Sequence, residues 1–118
     1  MARITPFQAL RPVPPFADKV AAPPYDVIDV AEARAMADGN PWSFLHVEKS
    51  EIDLPDYPEV EEAAVFRAAA DNLERLRAER VLIQDPSPCF YVYAQEMGGR
   101  RQYGIVAGAS VRDRKSVV

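Results

Sequence analysis

Apolar and polar positions follow two periods along this chain, and the switches between them mark out its elements. From Val30 to Ala37, and again from about Pro58 to Ala78, apolar residues return every three or four positions, the spacing of one helix face. Asp29 precedes the first stretch with Glu32 three residues on, the pattern of a capping box in which each side chain satisfies the other residue's amide. Asp38-Gly39 and then Asn40-Pro41 end it, because glycine tolerates the left-handed C-cap and a residue before proline leaves helical angles. The second stretch predicts the longest element. Pro58 suits a first helical position, and Glu59, Glu61 and Glu62 favour the positive end of the helix dipole. Val65, Phe66, Ala69, Leu73 and Leu76 share one side, with Arg67, Asp71, Glu74, Arg75 and Arg77 mostly on the other.

Elsewhere the pattern is extended. Trp42–Val47 reads as a short buried strand and Val81–Ile83 as a brief apolar run, while Cys89–Gln95 and Arg101–Val111 read as a hairpin turning at Gly98-Gly99. Nine of the eleven prolines fall before position 59, so Pro6–Pro24 is expected as loops and short edge strands pinned by Phe7, Leu10, Phe16 and Val20. The fold class is therefore α+β: a proline-rich wrap, a short helix, a strand, one long amphipathic helix and a C-terminal β-hairpin, within part of one mixed sheet. Residues 1–111 read as the N-terminal part of a larger α+β domain. Residues 112–118 read as a truncated or non-native tail, because the last predicted strand runs out in charged residues.

Composition acts mainly by exclusion. A chain of 118 residues that is 48% apolar suits a single core. Fourteen basic against eighteen acidic residues leave a net charge of -4, without the basic surplus that drives attachment to nucleic acid. The lone Cys89 makes no internal disulfide, the proline-broken N-terminus is no secretion signal, and no apolar run nears the roughly 20 residues of a membrane span. A cytoplasmic protein without a membrane partner is expected; its oligomeric state stays open.

Two clusters are candidates for chemistry. In Ala22-Pro23-Pro24-Tyr25-Asp26-Val27-Ile28-Asp29 the paired prolines stiffen the backbone and fix where Tyr25 and Asp26 project. In Asn40–Glu51 lies the only histidine, and on an alternating strand Phe44, His46 and Glu48 share a face, making His46 and Glu48 neighbours fit for proton transfer. Both clusters also have a structural reading: a packed Tyr25 with a turn-capping Asp26, and a satisfied His46. No second His or Cys builds a metal centre, and neither a Gly-x-Ser-x-Gly elbow nor a phosphate loop at Gly98-Gly99 is present. The acidic run Asp53, Asp56, Glu59, Glu61 and Glu62 reads as a charged helix N-terminus.

Several segments in register carry a resemblance: Ile4-Thr5-Pro6-Phe7-Gln8-Ala9-Leu10-Arg11-Pro12, Lys19-Val20-Ala21-Ala22-Pro23-Pro24-Tyr25-Asp26-Val27 and Asn40-Pro41-Trp42-Ser43-Phe44-Leu45-His46-Val47. Ile83-Gln84-Asp85, Pro88-Cys89-Phe90-Tyr91-Val92-Tyr93 and Tyr103-Gly104-Ile105-Val106 continue it. The chain resembles the opening of the domain of unknown function 1015 family. The resemblance implies a longer protein with a Lys-His-Glu and an Asp-Gly-His-His-Arg stretch further on, the latter similar to a signature of ParB/sulfiredoxin-like proteins, some of which phosphorylate free serine. It thereby implies a nucleotide-dependent phosphotransferase for a small hydroxylated metabolite such as serine, using ATP or ADP with Mg2+. On that reading Glu48 or Asp26 positions or deprotonates the substrate hydroxyl, and Tyr25, Asn40 and His46 line its pocket. The other reading is a non-catalytic module that binds a ligand or, in ParB-like fashion, nucleic acid.

Overall fold

The computed structural model describes residues 3–111, which divide into two compact units: residues 11–83, and residues 3–10 together with 84–111. The expected tail at 112–118 lies outside the described residues. The class is α+β, as the periodicities predict.

The first unit is helical. A 3-10 turn at Pro14–Phe16 leads into α1 (Ala17–Val20), followed by α2 (Val30–Ala37), α3 (Leu45–Glu48), a second 3-10 turn at Ser50–Asp53 and α4 (Glu62–Ala78). The α2 bounds match the prediction, and its capping box is closed: Glu32 N donates to Asp29 Oδ1 at 2.8 Å and Asp29 N to Glu32 Oε1 at 3.2 Å. Ala33 and Ala37 of α2 pack on Leu45 and Ile52, with Ala22, Ile28 and Val30 around them. The small α2 residues let α3 and the following turn approach closely, so the core is built on Leu45, which is 1% exposed.

Two expectations in this unit are corrected. Trp42–Val47 is not a strand. Pro41 and Trp42 lie in a turn in which Asn40 Oδ1 accepts from Trp42 N, Ser43 Oγ accepts from Leu45 N, and helical bonds then run from Glu48 N to Phe44 O and Lys49 N to Leu45 O. Side-chain acceptors at Asn40 and Ser43 turn the chain into a helix, a competition that a six-residue apolar run does not reveal by its period. The long helix starts at Glu62, not Pro58, because residues 55–60 turn instead, with Tyr57 N donating to Leu54 O and Glu59 N to Asp56 O. Its inner stripe is Val65, Ala69, Asn72, Leu73 and Leu76; Phe66, about 100° around from Val65, is 65% exposed.

Among the described residues, three two-stranded sheets stand in place of one mixed sheet. They pair β1 (Ile4–Thr5) with β6 (Gly108–Ala109), β2 (Leu10–Pro12) with β3 (Leu82–Gln84), and β4 (Tyr91–Met97) with β5 (Arg100–Val106). The predicted hairpin is present, antiparallel from Tyr91↔Val106 to Met97↔Arg100, with Gly98 and Gly99 at φ of 59° and 79°. Its return strand ends at Val106, and Gly108–Ala109 pairs with β1. In this second unit Tyr91 is the tie: its hydroxyl donates to Asp85 Oδ2 at 2.5 Å, accepts from Ala9 N at 2.9 Å, and its ring meets Phe7 at 5.1 Å. Burial, then the Asp85 carboxylate, push the Tyr91 hydroxyl up from its ordinary range. Among the described residues no helix is long and apolar enough to cross a membrane.

Candidate functional site

The helical form of α3 decides how the candidate residues are grouped. On a strand His46 and Glu48 would share a face; on a helix they stand about 200° apart, so the predicted proton-transfer pair is broken into two separate settings. Each setting gathers some of the residues singled out from the sequence.

Glu48 goes with Tyr25 and Asp26. Lys49, buried at the C-terminus of α3, donates from Nζ to the Tyr25 carbonyl at 2.6 Å and lies 5.9 Å from the centre of the Tyr25 ring. This bond ties the proline-stiffened turn to α3, and Val27 N donating to Pro24 O closes the turn itself. Tyr25 keeps 58% of its surface in solvent, and Asp26 is exposed. Glu48 is half-buried, with Oε1 sealed from solvent and reached by no hydrogen-bond donor among the described residues. Burial raises the Glu48 carboxyl above its ordinary value; Lys49 opposes the shift and the negative charge of Asp26 adds to it. A carboxylate in that condition binds a proton more readily than a solvated one.

His46 goes with Asn40. Its Nδ1 faces the Asp53 carboxylate, 2.8 Å from Oδ2 and 3.1 Å from Oδ1, and Nε2 lies 3.0 Å from the Asn40 carbonyl. Both partners are acceptors, so the neutral ring satisfies one of them and the imidazolium both. With both nitrogens engaged, His46 holds the chain between Asn40 and Asp53 and has no free nitrogen to present to a substrate. The Asn40 side chain is used in the same way, accepting from Trp42 N and donating to Lys19 O at 2.8 Å. Asn72 of α4 completes the arrangement, its Nδ2 donating to His46 O at 2.7 Å and to Asp53 Oδ2 at 3.0 Å.

Beside this network lies a cavity of about 490 Å³ lined by Arg34, Asp38, Asn40, His46, Ile52 and Asp53 among others. Arg34 and Asp53 carry no mark in the sequence analysis as site residues. Asp53 was assigned to a helix N-terminus that in fact begins nine residues later. Its pairing with His46 spans a break at Lys49, whose φ of -136° and ψ of 54° are not helical, so no regular spacing announces it. For Arg34 no local pattern announces its role. It reaches Glu51, Ile52 and Leu54 in a different element, and such contacts exist only after folding.

Among the described residues no group of three His, Cys, Asp or Glu side chains is placed to hold a metal ion. A family model described as "Protein of unknown function (DUF1015)" matches residues 4–118. Neither a curated protein nor a solved structure matches the chain.

Proposed function

Since the chain belongs to the family of unknown function DUF1015, we propose that it supplies the general base of a phosphotransferase that modifies a small hydroxylated metabolite such as free serine. The observation that carries this reading is Glu48. Burial of one oxygen, reached by no donor among the described residues, raises the carboxyl pKa, which suits the group to take the proton of an attacking hydroxyl at its other oxygen. Asp26 and Tyr25 stand on the adjoining rigid turn, Asp26 close enough to sharpen the basicity of Glu48 and Tyr25 exposed to meet a ligand. Asn40 and His46 support the fold around α3 and do not contact substrate on this reading.

Phosphoryl transfer is governed by positioning and charge compensation, and a nucleotide–Mg2+ donor carries most of its metal ligation on its own phosphates, needing one or two carboxylates from protein. Asp26 is the exposed carboxylate near Glu48 available for such a contact. What this chain's residues contribute is the acceptance of a hydroxyl proton at Glu48.

The test is to incubate the full-length protein with serine and ATP or ADP plus Mg2+, and to follow phosphoserine by phosphorus NMR. The expected outcome is turnover that falls about 10²- to 10⁴-fold in Glu48→Gln, the range general-base catalysis supplies. Absence of product with any nucleotide and any hydroxylated acceptor rejects the proposal in favour of the non-catalytic, ligand-binding reading.

A further inference from the structure

The cavity on the His46 side of α3 is lined by both signs of charge, and its free groups define what it can hold. Arg34 spends Nε on the Ile52 carbonyl at 3.1 Å and Nη2 on those of Leu54 at 3.0 Å and Glu51 at 3.4 Å, which fixes the guanidinium plane. Among the described residues its Nη1, with two N–H donors, has no partner, and no carboxylate pairs with this arginine. Asp38, at the C-terminus of α2, is exposed and carries a carboxylate with no partner among the described residues. Asp53 is held in place by His46 and Asn72. Ala37 and Ile52, both buried, add an apolar patch to the lining.

One guanidinium against two carboxylates disfavours a polyanion: a phosphate group would meet Asp38 and Asp53 as well as Arg34. A simple cation would leave the fixed, unfilled guanidinium edge unmatched. A ligand that carries a carboxylate and an ammonium on neighbouring atoms matches both, because a guanidinium fork is shaped for carboxylate and an ammonium donates to several oxygens at once. We propose that this cavity is a binding site for a free α-amino acid, its carboxylate on Arg34 Nη1 and its ammonium between Asp38 and Asp53. The volume of about 490 Å³ leaves room for a side chain beyond the zwitterionic core. The site lies on the face of α3 away from Glu48 and does not rest on the reaction proposed above.

The experiment titrates the full-length protein, without nucleotide, with glycine, L-glutamine, acetate and methylammonium up to about 10 mM, a range that captures weak millimolar binding, and follows amide shifts at Ala37–Asn40 and Ile52–Asp53. The expected result is saturable shifts at these amides with glycine and glutamine and not with acetate or methylammonium. Asp38→Asn, an exposed change that leaves every mapped hydrogen bond in place, is expected to weaken binding about tenfold or more. Glu48→Gln is expected to bind as the unaltered protein does, which separates this site from the catalytic proposal. Binding of acetate or methylammonium as tight as that of glycine, an Asp38→Asn protein of unaltered affinity, or no saturable shift with either amino acid overturns the proposal.

Discussion

Replacing Glu48 by glutamine should make the protein more stable at neutral pH while removing the group on which the proposed chemistry depends. Glu48 keeps Oε1 sealed without a donor, and burial raises its carboxyl pKa in the folded chain. The folded carboxyl therefore holds its proton to higher pH than the unfolded one. That proton's contribution to stability is complete below the ordinary carboxyl range and is lost as pH rises through the raised folded value. At neutral pH the charged group is carried at a cost that a neutral amide of the same shape does not incur. An unsatisfied buried charged group costs upward of about 1–3 kcal/mol, and the partial exposure of Glu48, together with the lost attraction to Lys49, brings the expected gain to about 1 kcal/mol. For a chain of this size that corresponds to a rise in Tm of about 4 °C. Thermal melts followed by far-ultraviolet circular dichroism at about pH 7 and about pH 4 read the effect, which should be present at the first and nearly gone at the second. A Glu48→Gln protein less stable than the unaltered one at neutral pH, or a difference independent of pH, refutes the argument that this carboxylate is held under strain. Stability gained where activity is lost is the expected signature of a functional group kept in an unfavourable setting.

Asn72→Ala removes the donor shared by His46 O and the Asp53 carboxylate; a loss of about 2–3 kcal/mol is expected by chemical denaturation, with the His46 ring resonances shifting as Asp53 is released. Leu45→Ala opens a cavity where α2, α3 and the Ser50–Asp53 turn meet. It should cost about 2–5 kcal/mol and disturb both faces of α3, reducing Glu48-dependent turnover and amino-acid binding together, whereas the exposed Asp38→Asn change affects the second alone.

How far the fold could be read in advance depended on the range of the forces that set each element. The α2 helix was legible to the residue because its start is a reciprocal bond between Asp29 and Glu32, three positions apart, and its end is followed by Gly39 at φ 73°. The hairpin was legible because Gly98-Gly99 supplies the positive φ its turn needs and the first strand is rich in aromatic and β-branched residues. Tyr25, Asp26 and Glu48 were picked out as candidates from residue type and backbone stiffness, and folding brings them into one neighbourhood. What the apolar period left to the folded structure is the conformation of residues 42–48: a run this short suits strand or helix, and the turn bonds of Asn40 and Ser43 together with Leu45 packing on Ala33, Ala37 and Ile52 select the helix. From that choice follow the separation of His46 from Glu48, the pairing of His46 with Asp53, and the recruitment of Arg34 to the cavity wall. The last two join residues seven or more positions apart, beyond the reach of any local pattern, because such contacts are formed by packing and not by propensity.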